Sequence, residues 1–493
     1  MPLITKNGFL QFLKCPVKGW IEINNPPKKD DSLADKYRKE EGIEIGKRAR
    51  QLFPEGVLLE EKNPFIAEEI TKCMFRDQSF DTIYEAAFVS GEFVTRADII
   101  EEMPDGLKVY EVKSSKINTK QIKDLIKDIA YTVMVVKDAG YKVNGATLIL
   151  LSENYRKGMS DQNLFELYDV SNEVHRFIVD FSTKKEKASE ILGKLEKPDP
   201  EFKYECRSCD YFNDCFDLDR DKTIFVLHNM YHSHVKKLID KGTYLLEQLD
   251  KEELGKDLHR RIFRSMSENK LIIDDKRGLW EKLNELSYPI GYLDFETVST
   301  ALPLYNDLAP YEKLPFQYSL HIKENLDSPI KHLDYLFFDP SMDESKKLAE
   351  TLVGDTKKIK TLIAYHDSFE KTVIKNLIKR YKYDDQLTTA LNNMIDKFVD
   401  LELIVKEHVY HPDFHGSFSI KNVLPALIPD FSYKGLEIKN GDDACYIFAK
   451  MARGDYSEQE IEKIRKNLLE YCKLDTLAMV KIHEKLLRYC STL

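Results

Sequence analysis

The sequence predicts an α/β protein of more than one domain, on three observations. Residues 93–101 and 107–112 are β-rich and flank a turn signal, Met103-Pro104-Asp105-Gly106, so they read as a hairpin. Residues 119–139 have helical periodicity and precede a short apolar run, Ala146 to Leu151, that reads as a buried strand. A further strand, Gly291 to Phe295, opens a second series that passes a strand-to-helix junction at 362–370 and closes on an amphipathic helix around 469–480.

A chain of 493 residues has room for about two to four domains, each with its own core. Its 42% hydrophobic and 32% charged content describes a soluble globular protein. The net charge of -10 argues against a basic surface that coats nucleic acid, while carboxylate clusters beside local lysine patches are compatible with it. No run of eighteen apolar residues predicts a membrane helix. The start, Met1-Pro-Leu-Ile-Thr-Lys-Asn-Gly-Phe9, lacks the basic-then-apolar layout of a signal peptide. A cytoplasmic setting without membrane contact is therefore expected, where thiols stay reduced and serve metals or packing.

In the hairpin, Asp98 sits on one strand, while Glu111 and Lys113 are two apart on the next and so share a face. Two carboxylates beside an ammonium can hold a divalent cation, orient a water and stabilise charge on a phosphate undergoing hydrolysis. Glu85 is either an extra ligand or a salt-bridged surface residue. On the helix that follows, Lys120, Lys123 and Lys127 share one side, which reads as phosphate contact or as a solvated face.

Of eight cysteines, Cys206, Cys209 and Cys215 form C-x2-C-x5-C, and Cys15 stands alone in Leu13-Lys-Cys-Pro16. Such a dense triplet among polar turn formers points to metal, and four thiolates suit either a [4Fe-4S] cluster or a tetrahedral Zn²⁺. Cys73, Cys445, Cys472 and Cys490 are isolated and expected to be buried small hydrophobes.

A lone Cys-Pro near the start, an Asp98/Glu111/Lys113 core and the cysteine triplet together resemble the RecB-like PD-(D/E)xK nucleases with an iron–sulfur staple, including CRISPR-adaptation exonucleases and AddB. The resemblance covers residues 1 to about 220. It implies a restriction-endonuclease-like domain over 1–221 in which Asp98 and Glu111 bind metal, Lys113 is the catalytic lysine, and Cys15, Cys206, Cys209 and Cys215 hold [4Fe-4S]. Two positions depart from the pattern. Gly46 stands where many relatives carry a metal-binding His, and Lys127-Asp128-Ile129-Ala130-Tyr131 keeps the family's Tyr without its Gln.

Residues 222–285, rich in helix formers and scattered charge, read as a helical connector. His228, His232 and His234 within it suggest metal only weakly, because no acidic or Cys partner is spaced to join them.

The second half, 286–493, opens with Asp294 and Glu296 on one face of a strand, a costly pair unless hydrated or matched by cations. Glu370 falls in the first turn of a helix after Leu362-Ile-Ala-Tyr-His366. Tyr471 and Asp475, four apart, share a helix face.

In this order the pieces resemble the DEDDy exonucleases of the ribonuclease H-like superfamily: Asp-x-Glu at 294–296, an Asn-x2-Phe-Asp-like His366-Asp-Ser-Phe-Glu370, and Tyr-x3-Asp at 471–475. The whole arrangement also looks like an uncharacterised bacterial family that fuses the two domain types. The resemblance implies that Asp294, Glu296, Glu370 and Asp475 bind two Mg²⁺ or Mn²⁺ roughly 3.5–4 Å apart and that Tyr471 orients the attacking water. Asp367 is a substitute ligand for Glu370. Asp400 is a helix cap, a polar core residue or a metal contact. The loop with His411, His415, Phe418 and Lys421 is a substrate contact or a connector.

The expected function is a metal-dependent nuclease acting on DNA or RNA. Its C-terminal domain would work from 3′ to 5′ on single strands or 3′ ends. The rival expectation is a nucleic-acid-binding or assembly module in which one or both sites are inactive.

Overall fold

Strands with apolar residues on both faces build the first sheet. In the computed structural model, which describes residues 2–27, 31–77, 80–431 and 435–490, six strands lie in chain order. They are β1 (Val57–Leu58), β2 (Thr82–Ser90), β3 (Phe93–Met103), β4 (Gly106–Val112), β5 (Val143–Leu151) and β6 (Phe165–Asp169). Pairs β1/β2 and β4/β5 are parallel and the rest antiparallel. Ile83, Val109, Leu148 and Leu150 enter one apolar cluster, while Tyr84, Tyr110, Ile149 and Leu151 enter another, as a period of two requires. Helices α1 (Lys6–Lys14), α2 (Pro16–Asn24), α4 (Pro64–Arg76), α5 (Ile122–Asp138) and α6 (Ser171–Leu192) supply the first cluster, and α3 (Leu33–Arg50) supplies the second. The expected hairpin forms, with Gly106 at φ 138° closing its turn.

The second sheet has the order β10-β9-β8-β11-β12. Here β8 is Ile290–Val298, β9 Leu314–Lys323, β10 Lys331–Leu336, β11 Thr361–Ala364 and β12 Phe398–Asp400. The central β8 pairs antiparallel with β9 and parallel with β11, and β12 continues parallel. A two-stranded ribbon joins β7 (Ile272–Ile273) to β13 (Val409–Tyr410). Every residue of β9 is buried, so helices cover both of its faces. They include α11 (Ser345–Thr356), α12 (Ser368–Arg380) and the long α17 (Glu458–Cys490). The remaining helices are α7 (Phe212–Cys215), α8 (His232–Asp240), α9 (Asp257–Glu268), α10 (Lys276–Asn284), α13 (Asp385–Ile395), α14 (Leu401–His408), α15 (Ile420–Leu427) and α16 (Gly441–Arg453).

The chain divides into two units, Met1–Glu201 with Thr300–Glu312, and Phe202–Ser299 with Lys313–Leu493. These bounds differ from the expected 1–221, 222–285 and 286–493. Phe202, Phe212, Phe225 and Leu279 lie in one buried cluster with Tyr292, Phe414 and Ile482, so the stretch read as a connector is core of the second unit. Conversely, Ala301 and Leu302 pack with Ile45, Ala49 and Tyr84 in the first unit, and their backbone N–H groups donate to the buried Glu41 carboxylate, each at 3.2 Å.

Candidate functional site

Each unit gathers its own acidic cluster. In the first, β3 and β4 separate beyond the Ile99–Tyr110 pair, and the Asp98 carboxylate takes the Val112 N–H at 2.7 Å. Burial and the neighbouring Glu111 push Asp98 up to about 7. Glu111 is 1% exposed, and burial alone would raise its pKa. Instead Lys6 and Lys113 hold it well below the carboxylate range, their Nζ atoms 2.6 and 2.9 Å from its Oε1. The same ammoniums reach Asp128 Oδ2 at 3.1 and 2.5 Å. The other oxygen, Glu111 Oε2, is buried without a hydrogen-bond partner. A cavity of about 570 Å³ opens beside Asp98 and Lys113, lined also by Gly42, Gly46, Arg50 and Glu85. A Cβ at Gly46 would meet nothing within 4 Å. Glu85 pairs with Arg50 at 3.1 Å, the salt-bridged alternative of the two expected for it.

The second cluster collects acids from β8, α12 and α17. Asp294 and Glu296 project from β8, and α17 packs across β8 and β9, bringing Tyr471, Cys472 and Asp475 to them. A carboxylate oxygen of Asp294, one of Glu296 and Cys472 Sγ all lie within 4.8 Å of one another. Burial first, then Asp475, pushes Asp294 up to about 8. Glu296 is raised well above its usual value by burial and by Asp294. Glu370, the third residue of α12, is 3% exposed and likewise raised, and its Oε2 has no hydrogen-bond partner. Such crowding of carboxylates favours protons or cations at the site. The Tyr471 hydroxyl, buried near Asp475 and Glu296, is held well above its usual range and so stays protonated at neutral pH. Lys421 is a cationic neighbour of Glu296.

A family model described as “Domain of unknown function (DUF2779)” matches residues 291–419. That match contains Asp294, Glu296 and Glu370 and stops before Tyr471 and Asp475. The chain is 26% identical over 232 residues to “Uncharacterized protein MG366” of Mycoplasma genitalium, covering 44% of this chain and 34% of that protein. “Uncharacterized protein MG366 homolog” of Mycoplasma pneumoniae is 26% identical over 221 residues, covering 42% of this chain and 33% of it. The chain thus spans about a third of the length of the curated relatives it matches.

The other expected residues fall as follows. Asp400 caps α14, accepting the N–H of Glu402 at 2.9 Å, and its Oδ1 also takes the His366 N–H at 3.0 Å. It therefore fixes the loop that leads into Glu370. Asp367 pairs with Lys371 at 2.6 Å. Lys120 and Lys123 are exposed, and Lys127 pairs with Asp124 at 3.1 Å. Cys15 stands at the N-cap position of α2 in the first unit, without a capping hydrogen bond from its side chain. Cys206, Cys209 and Cys215 occupy successive short turns of the second unit, tied by Cys209 N–H to Cys206 O at 3.3 Å and Phe212 N–H to Cys209 O at 3.2 Å. Cys445, Cys472 and Cys490 are buried, but Cys73 is exposed, because α4 turns Ala67 and Thr71 inward and puts Cys73 on its other side.

His228 Nδ1 lies 3.1 Å from Gly416 O, and the His232 ring meets Tyr204 at 4.6 Å. His411 caps a short turn, His415 Nδ1 lies 2.7 Å from Asp221, and Phe418 is buried. Sequence reading missed Lys6, Asp128 and Cys472. For Cys472 a signal existed, since it lies three residues before Asp475 and shares its side of α17.

Proposed function

We propose that the second unit hydrolyses phosphodiesters as a 3′ to 5′ exonuclease at the Asp294, Glu296, Glu370 and Asp475 cluster. The observation that carries this is the convergence of these acids from three distant chain segments, with Asp294 and Glu370 in contact and Glu370 Oε2 left without a partner. A sheet order in which the first strand is central, the second antiparallel to it and the fourth and fifth parallel also supports a ribonuclease H-like reading. The four carboxylates would hold Mg²⁺ or Mn²⁺, which supply charge neutralisation and a water of lowered pKa. Tyr471 keeps its proton and can donate a hydrogen bond that orients this water. Asp400 positions Glu370 by holding the His366 backbone.

For the first unit we propose a PD-(D/E)xK site in which Asp98 and Glu111 hold one cation and Lys113 faces the phosphate. One observation favours the second reading there, binding of nucleic acid without hydrolysis: Lys6 adds a second ammonium at the place where a cation would neutralise Glu111. The expectation of [4Fe-4S] or Zn²⁺ at Cys15, Cys206, Cys209 and Cys215 rests on the spacing of the triplet and its confinement to one run of turns. Iron and zinc quantitation of anaerobically purified protein tests it. A cytoplasmic location is also part of the proposal; among the described residues no helix is long and apolar enough to cross a membrane.

The test of hydrolysis incubates a 5′-labelled single strand with Mg²⁺ or Mn²⁺. Asp294→Ala is expected to abolish stepwise shortening, and Lys113→Ala to remove any cleavage made by the first unit. Unchanged activity in both variants would refute both assignments. Binding without cleavage under either metal would select the non-hydrolytic reading.

A further inference from the structure

The second cluster contains a donor that hydrolysis by hard cations does not require. Cys472 is fully buried, and its Sγ is directed at Asp294, 3.4 Å from Oδ2 and 3.9 Å from the backbone oxygen. With one oxygen each from Asp294 and Glu296 it forms a group of three potential ligands mutually within 4.8 Å. Two further features point to a ligand. Glu370 is buried beside Asp294 with Oε2 unpartnered, and Glu296 is 6% exposed with its charge opposed by Asp294 and Asp475.

Carboxylates alone select Mg²⁺, Ca²⁺ or Mn²⁺, whereas a thiolate shifts selection toward softer ions. On α17, Cys472 and Asp475 are three apart, so sulfur and carboxylate approach β8 from one side. We propose that Asp294, Glu296 and Cys472 form a mixed oxygen–sulfur site for a soft divalent cation of the Zn²⁺ or Cd²⁺ class, which displaces the hard cations and switches hydrolysis off. When the Sγ–metal bond forms, the thiol proton passes to solvent. The site itself is independent of the nuclease reading; only its inhibitory effect rests on that reading.

The test titrates full-length wild type, Cys472→Ser and Cys490→Ser with Cd²⁺ anaerobically and without nucleic acid, following sulfur-to-cadmium charge-transfer absorption. The cysteine triplet contributes equally to all three proteins, so their differences report single thiols. Cys472→Ser is expected to lose one thiolate's contribution and to bind that Cd²⁺ at least roughly 10-fold more weakly, the cost of losing even an outer partner of a metal. Cys490→Ser should match wild type, and Asp294→Asn should weaken the same band. A Cys472→Ser titration identical to wild type would overturn the proposal.

Should Cys472→Ser not fold, cadmium NMR on wild type decides. A mixed sulfur–oxygen resonance supports the site, and only all-sulfur or all-oxygen resonances refute it. Hydrolysis measured separately with Mn²⁺ keeps the two ideas apart. A Cys472-dependent band without Asp294-dependent hydrolysis sustains this site and sinks the nuclease, and the reverse result does the opposite.

Discussion

His483 sits on α17 at 2% exposure, its Nδ1 sharing a 2.6 Å hydrogen bond with the Tyr292 hydroxyl while Nε2 has no partner. Burial, with Lys323 nearby, lowers its pKa from 6.5 to about 4, and Glu484 opposes this only in part. Between about pH 4 and 6.5 the unfolded chain therefore carries a proton that the native protein does not. The native protein is favoured in full above pH 6.5 and loses that advantage as pH falls toward 4, by about 3 kcal/mol in all. Urea unfolding across this window should show the loss, and His483→Gln should flatten the slope.

Legibility at this scale followed distance along the chain. Asp98 and Glu111 lie on the two strands of one hairpin and Lys113 follows directly after its second strand, so nearness in sequence and alternation were enough to group them. Lys6 meets Glu111 across 105 residues, and no spacing rule reaches that far. Asp128 carried no signal of its own in the sequence, whereas the structure shows it taking both ammoniums.

Among the elements, α12 depends on its neighbour. Asp400 caps α14 and holds the backbone of His366, a non-glycine residue at φ 69°, at the start of the loop that delivers Glu370. Asp400→Ala is expected to cost about 1 kcal/mol from the lost cap. It should also weaken Mn²⁺ binding at the second cluster by freeing Glu370. Asp400→Asn, which can still accept both N–H groups, should retain most of each; calorimetric Mn²⁺ titration and urea unfolding measure the two effects. An Asn variant as damaged as Ala in metal binding alone would make Asp400 a ligand instead.

The sequence left cap and ligand open for Asp400, because an Asp before a helix serves either purpose. By contrast, β8 and α17 were readable from periods of two and four, and the strand at 146–151, the C-terminal part of β5, from its apolar run. The elements between Phe202 and Asn284 are mostly short turns and helices, and their membership in a core came from tertiary packing.

For the molecule as a whole, composition indicated more than one domain but not where the chain crosses between them. Alternation and helix periodicity are local, while unit membership depends on contacts such as Ala301 and Leu302 with Ile45 and Ala49. A fragment ending at Glu201 lacks those apolar residues and leaves Glu41, 4% exposed, without the Ala301 and Leu302 N–H groups. It is expected to melt at a lower temperature than the first unit within the full chain and to be cut faster by protease. Joining residues 300–312 to it through a flexible linker should restore much of the loss. Equal protease resistance with and without that segment would refute its structural role.

The same excursion bears on how the polypeptide is made. Residues of the first unit leave the ribosome long before Glu312 does, since 111 positions separate it from Glu201. At ordinary translation speed that gap lasts on the order of 5–20 s, during which the nascent N-terminal part lacks its last piece. The place where Ala301 and Leu302 will lodge stays open to water or to a chaperone until the intervening stretch has emerged.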